Sequence, residues 1–330
     1  MPHFASKQRK TGTFETGRGI VQKYPIGKCS KKYRSTDREN RGYHEGKRHA
    51  LSGIGVNIMA FARKIIRKRK LFDPSVAEPF KISRSKIELF FNCPRCFYLD
   101  QRLGIKRPDF PAFTLNSAVD HLLKKEFDIH RASGDPHPLM KAYKIPAVPF
   151  QHADLDKWRH NFTGVQYADS STNFLIYGAV DDIWENKKTG ELHVVDYKST
   201  STDSEVTLEG PWKEAYKRQM EIYQWLLRQN GFKVSDTGYF VYVNGKKDRA
   251  AFDGRLEFDV KIIPYKGDDS WVYEKIVKAK ECLSSLDLPA HSEECEYCVY
   301  RKNAAEASYS LTSKKKPKKE IERQSNVLPL

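Results

Sequence analysis

Charged residues stand in unusual places between Tyr177 and Thr200, in the stretch YGAVDDIWENKKTGELHVVDYKST. Strand interiors normally avoid Asp and Lys, yet Asp181 and Asp182 fall near the end of one β-branched run, and Asp196 and Lys198 fall in the next. Side chains alternate along a strand. Leu192, Val194, Asp196 and Lys198 therefore share one face, and Leu175, Tyr177, Ala179 and Asp181 share one face of the preceding run. If the two runs pair across the short turn between them, Asp181 approaches Asp196 across the ladder. Two carboxylates held together repel each other unless a cation joins them. A hard divalent cation such as Mg2+ takes oxygen ligands of this kind; it polarises a phosphoryl oxygen and acidifies water. Lys198 would then place a positive charge at a phosphate or serve a proton relay. Asp182 points the other way and reads as a solvated turn acid with no metal role.

Several elements must position these residues. Residues 174–184 and 192–199 read as strands joined by a turn over 186–190. Before them, residues 113–131 have helical spacing, with Leu115, Ala118, Val119, Leu122, Leu123 and Phe127 forming an apolar face and His121 beside it. After them, residues 214–229 form a second strong helix, closed by Gly231. Gln219 and Tyr223 stand four apart on one side of that helix, where an amide and a phenol can orient Lys198, a water or a phosphate. Residues 83–102 open on a candidate N-cap serine, and Pro94 breaks or restarts that helix. Strands are expected over 237–243 and 256–263, and a helix over 269–283. This order of elements suggests a small mixed sheet flanked by helices.

The arrangement resembles the PD-(D/E)xK nuclease superfamily. There an Asp at the end of one strand precedes an (E/D)-x-K motif on the next; Gly178-Ala179-Val180-Asp181 resembles the first and Asp196-Tyr197-Lys198 the second. In the RecB-like branch a metal-binding His lies on a preceding helix, where this chain has His121. A Q-x-x-x-Y motif lies on the following helix, where this chain has Gln219 and Tyr223. The order is the family's, and the resemblance covers about residues 81–302. It implies a restriction-endonuclease-like α/β core that hydrolyses DNA phosphodiester bonds with Mg2+ or Mn2+. It further implies that His121, Asp181, Asp196 and the carbonyl of Tyr197 ligate the metal, that Lys198 positions or activates water, and that Gln219 and Tyr223 order the site. Lys213, Lys217 and Arg218 are candidates for nucleic-acid contact. Each residue also has a plain structural reading: a boundary histidine, ordinary helix residues, an Asp196–Lys198 ion pair. Their joint occurrence in this order favours the nuclease.

Cys93 and Cys96, and Cys295 and Cys298, form two C-x-x-C pairs that bracket this region. In a reducing compartment such pairs suggest metal or cluster ligation rather than disulfides. Some RecB-like nucleases, including CRISPR-adaptation exonucleases and helicase–nucleases of the AddB type, carry a [4Fe–4S] cluster on one Cys before the core and three after it. Cys93 matches the leading position, and Cys295 and Cys298 match the first two trailing ones. The third is missing here, while Cys96 is extra and would complete a set of four thiolates. On ligand count that set suits Zn2+ or an iron–sulfur cluster equally, and two pairs of retained thiols without metal is the third reading. Cys282 is the weaker substitute, and Cys29 lies outside the core.

The composition places this core between basic ends. The chain of 330 residues carries a net charge of +16. Residues 1–70 hold 19 Lys and Arg against 4 Asp and Glu, and residues 311–330 hold 6 against 2, so residues 71–310 are net −3. Residues 1–80 read as a basic extension, mostly disordered, with a basic amphipathic helix near 54–70. Residues 81–302 are the nuclease domain, and 303–330 a lysine-rich flexible tail. The extension suits sequence-independent contact with a polyanion, or serves as a solubilising arm. No apolar run is long enough for a membrane span, and the polar N-terminus lacks the core of a secretory signal. The expectation is a cytoplasmic protein whose partner is single- or double-stranded DNA, with no membrane and with room for a protein partner in a repair or defence complex. Two other classes remain open: a nucleic-acid-binding module with a nuclease fold but little catalysis, and an assembly protein that docks through residues 1–70.

Overall fold

In the computed structural model the structure describes residues 70–313 other than 110 and 112. The expected helix near 54–70, the disorder of the first fifty residues and Cys29 lie outside the described residues. The architecture is mixed α/β. A three-stranded sheet has the order β1 (Phe80–Ser83), β4 (Phe174–Gly178), β3 (Val165–Asp169). A five-stranded sheet has the order β2 (Val148–Pro149), β5 (Asp182–Glu185), β6 (Leu192–Thr200), β7 (Thr237–Gly245), β8 (Phe258–Lys266). β6 and β7 run parallel and the other pairs in the larger sheet are antiparallel. Among the described residues no helix is long and apolar enough to cross a membrane.

β6 is central in its sheet, and its run LHVVDYKST is buried over the first six residues, because helices cover both faces. Leu192 and Val194 pack with Met220, Tyr223 and Leu226 of α6 (Pro211–Gln229). Val195 and Tyr197 face the other way, into a cluster with Trp184, Leu123 and Phe127. Leu123 and Phe127 belong to α3 (Thr114–Ser133), which ends on a left-handed Gly134. α6 makes the crossover that parallel β6 and β7 require. α1 (Arg84–Asn92) and α2 (Pro94–Gln101) are separated at Cys93, as Pro94 signalled. They pack with α7 (Val272–Ser284): Tyr98 donates its hydroxyl hydrogen bond to the carbonyl of Ser285 at 3.1 Å. α8 (Glu296–Ser313) extends past residue 302, the limit expected for the domain.

The single strand expected over 174–184 is two. β4 pairs with β1 and β3, whereas β5 pairs with β2 and β6 in the other sheet. The chain changes sheets over Ala179–Asp181, where Val180 N–H donates to the Trp158 carbonyl at 3.1 Å and Arg159 Nε donates to the Asp181 carbonyl at 3.1 Å. Gly178 marks the crossing. A Cβ there would lie 2.6 Å from the ring of Tyr223, so only glycine lets α6 come this close to β4.

Candidate active site and thiol cage

β5 and β6 deliver the two acids as alternation requires. Asp182 pairs with Val195 in register, which sets Asp181, one residue earlier, beside Asp196 just past the end of the ladder. Asp181 Oδ2 accepts the Tyr197 backbone N–H at 2.9 Å. Asp196 is fully buried, and its Oδ1 accepts a hydrogen bond from Gln219 Nε2 at 2.7 Å. Gln219 Nε2 also lies 3.2 Å from the Tyr223 hydroxyl. The i, i+4 pair on α6 thus braces the Asp196 carboxylate. Lys198 forms an ion pair with Asp196 Oδ2, lies 3.5 Å from Gln219 Oε1 and rests over the Tyr216 ring at 4.6 Å.

The electrostatics follow from burial among like charges. Burial pushes Asp196 up to about 6, against the pull of Lys198 and helped by the charge of Asp181. Burial would lower Lys198, but Asp196 and Asp181 outweigh it and hold the ammonium above its ordinary value. At neutral pH the group facing the site is therefore a cation.

α3 reaches the site through Asp120 and Lys124. Lys124 Nζ donates to Asp120 Oδ2 at 2.9 Å and to Asp181 Oδ1 at 3.3 Å. Burial and the neighbouring Asp181 raise Asp120. His121, one residue on, is exposed, and so are Leu115 and Leu122 of the expected apolar face. The buried face runs through Leu123, Phe127 and Arg131 instead, which turns His121 toward solvent. Among the described residues, the set of three or more His, Cys, Asp or Glu donors that converges within 4.8 Å consists of four cysteines. The structure does not bring His121 to the two carboxylates. The carboxylates themselves fit a hard divalent ion: they are oxygen donors, and Asp196 Oδ2 touches the Lys198 ammonium but takes no aligned hydrogen bond.

Asp182 corrects a sequence expectation. It is fully buried rather than solvated. Arg159 donates to its Oδ1 at 2.8 Å, Arg131 pairs with the same oxygen, and the Tyr197 hydroxyl donates to its Oδ2 at 2.8 Å. Arg159 binds Asp128 of α3 as well, at 2.8 and 3.0 Å. The cluster anchors α3 and, through the Asp181 carbonyl, the bend that carries Asp181. Asp120, Lys124 and Arg159 escaped the sequence reading. The Asp120–Lys124 spacing was a usable signal; Arg159 offered none.

The three basic candidates on α6 are already engaged. Lys213 donates to the Tyr242 hydroxyl at 3.0 Å, Lys217 to Glu214 at 2.8 Å, and Arg218 makes a two-pronged pair with Glu88 of α1 at 2.7 and 3.0 Å. Arg218 stitches two helices together.

On the far side of α1 and α2, Cys93, Cys96, Cys295 and Cys298 are buried together. Cys96 Sγ lies 3.6 Å from both Cys295 Sγ and Cys298 Sγ, and Cys93 Sγ lies 3.9 Å from Cys298 Sγ. All are free thiols. Burial would raise Cys93, but backbone hydrogen bonds from Cys96 and Ser292 outweigh it and bring the thiol down to about 6. Cys282 stays outside, its Sγ 4.0 Å from the Pro94 carbonyl.

No curated protein matches the chain. A family model, that of the PD-(D/E)XK nuclease superfamily, matches residues 114–302. The match spans the helix, the acid-bearing hairpin, the Gln219–Tyr223 helix and the second cysteine pair, and on it the chain belongs to the PD-(D/E)XK nuclease superfamily.

Proposed function

We propose that the protein is a RecB-like deoxyribonuclease that hydrolyses DNA phosphodiester bonds with Mg2+ or Mn2+ in repair, recombination or defence. Membership of a nuclease superfamily whose enzymes use divalent metals supports the general class. The observation that carries the specific reading is the convergence of Asp181, Asp196 and Lys198, braced by Gln219.

A bound divalent ion supplies Lewis-acid polarisation of the phosphoryl oxygen and acidifies the attacking water. Asp181 and Asp196 would hold it, with the Tyr197 carbonyl, whereas His121, the further ligand the resemblance implies, is exposed on α3 and stands outside that set. Lys198, kept cationic by the two acids, stabilises negative charge developing at phosphorus and orients the water. Gln219 fixes the Asp196 carboxylate, and Tyr223 fixes Gln219. Lys124 neutralises Asp181 in the ion's absence. Lys213, Lys217 and the basic ends would contact phosphates, and the four-cysteine cage would hold zinc or an iron–sulfur cluster in a structural role.

The test is cleavage of end-labelled single- and double-stranded DNA with and without Mn2+. Wild type cleaves only with metal, and Lys198→Ala loses activity by at least about a hundredfold. Equal activity of the two proteins rejects the site. Tight DNA binding without metal-dependent cleavage selects the binding-module reading instead.

A further inference from the structure

The cysteine pattern resembles that of nucleases built on a [4Fe–4S] cluster, with one residue missing. The cage has a size, and the size discriminates. In a four-iron cubane each iron takes one thiolate, so the four sulfurs stand around eight cluster atoms. Here all four Sγ atoms lie within 4.8 Å of one another. In a regular tetrahedron the centre lies about 0.61 of an edge from each corner. The observed edges of 3.6, 3.6 and 3.9 Å therefore put a central atom about 2.2–2.4 Å from each sulfur, and Zn–S bonds are about 2.3 Å. Even a 4.8 Å edge leaves about 2.9 Å, room for one ion and none for an iron–sulfide core.

The arrangement of the pairs agrees. Cys93 and Cys96 flank the start of α2, and Cys295 and Cys298 flank the start of α8. Two C-x-x-C knuckles facing each other give the two-plus-two set of structural zinc sites, whereas the cluster pattern is one-plus-three. A divalent ion on four thiolates leaves two negative charges buried, which need compensation. Arg107 supplies part of it: its Nη2 donates to Cys295 Sγ at 3.2 Å while its guanidinium lies over the Tyr297 ring at 4.6 Å.

We infer that Cys93, Cys96, Cys295 and Cys298 hold one tetrahedral zinc ion rather than an iron–sulfur cluster, with Arg107 as the positioning residue that hydrogen-bonds the thiolate shell. The ion clips the α1–α2 pair to α8, two segments about 200 positions apart. It takes no part in phosphodiester chemistry.

The experiment uses the full chain, purified anaerobically without added metal, and measures zinc, iron and acid-labile sulfide together with the visible spectrum. We expect about one zinc per chain and a colourless protein without iron or sulfide. Exchange with Co2+ should give the intense visible bands of a tetrahedral tetrathiolate. Arg107→Ala should lose its zinc to a chelator about 10- to 100-fold faster than wild type, and an unchanged rate removes Arg107 from the shell. Cys96→Ser should abolish stoichiometric zinc; since that variant could fail to fold, the metal content of the wild type carries the decision. About four irons with matching sulfide, a single iron, or a metal-free protein whose four thiols react with a thiol reagent in the native state each overturn the assignment. These readouts are independent of DNA cleavage, so the zinc and nuclease readings fail separately.

Discussion

Gly178→Ala tests whether the close approach of α6 to β4 holds the candidate site together. The new methyl would lie 2.6 Å from Tyr223 Cε1, 3.0 Å from Cδ1 and 3.2 Å from Leu226 Cδ1. Carbon atoms in ordinary contact sit about 3.5–4.0 Å apart, so the ring must retreat by about 1 Å. Tyr223 is buried in the main core. Overpacking of this kind costs about 1–3 kcal/mol, and the stiffer unfolded chain returns about 0.4–1 kcal/mol. The net expectation is a loss of about 1–2 kcal/mol, read as a lower urea midpoint at unchanged slope. The displaced ring also carries its hydroxyl away from Gln219, which loosens the amide on Asp196. A misplacement of about 1 Å at a reacting centre costs on the order of a hundredfold in rate, so cleavage should fall well beyond what the surviving folded fraction explains. The Tyr223→Val change makes room, and Gly178→Ala should be close to neutral in that background. A wild-type midpoint for Gly178→Ala, or additivity in the double variant, would refute the steric link between β4 and the site.

The other predictions concern charge. Asp182→Asn strips a buried carboxylate from Arg131 and Arg159 and should destabilise the fold by about 3–5 kcal/mol; a loss under about 0.5 kcal/mol in denaturant titration would show the cluster to be dispensable. A double-mutant cycle on Glu88→Gln and Arg218→Met should return a coupling of about 0.5–3 kcal/mol in stability, while Arg218→Met leaves the affinity of the folded protein for DNA within about twofold; a large affinity loss without coupling would return Arg218 to the DNA. Lys124→Met removes the ammonium that rests on Asp181, so Mn2+ should bind at least about tenfold more tightly by calorimetry, and weaker binding would mean that Lys124 supports the ion rather than competing with it.

Much of this site was legible from period alone, and the failures have a common cause. Alternation sorts Asp196 and Lys198 from Val195 and Tyr197: the first two meet Gln219 of α6, and the second two pack with Leu123 and Phe127 of α3. The same alternation gave Asp182 its true direction, away from Asp181 and Asp196, but not its surroundings. The face it points to is also covered, and its partners Arg131 and Arg159 come from 51 and 23 positions away. Spacing along 174–184 does not show the change of sheet after Gly178, where a ring on α6 more than forty residues later packs close against the backbone. The helical stripe on α3 was drawn through Leu115 and Leu122, whereas the face that meets the sheet includes Asp120 and Lys124 in its polar part. Local spacing therefore fixes which way a charge points; only the fold decides what neutralises it.

That distinction separates the structural acid from the candidate functional ones. Asp182 is neutralised by two guanidinium groups, which stay charged and grip a carboxylate with a rigid fork. Its charge is fully met by the protein, and a metal ion would have to displace two arginines that also hold α3 in place. Asp181 and Asp196 are each met by a single ammonium, from Lys124 and Lys198, on long stems that can swing aside. Asp196 Oδ2 is the oxygen that touches one of them without an aligned hydrogen bond. Of the acids Asp181, Asp182 and Asp196, the first and last can exchange a protein cation for a divalent one at small structural cost, and for that reason the proposed metal site is placed on Asp181 and Asp196.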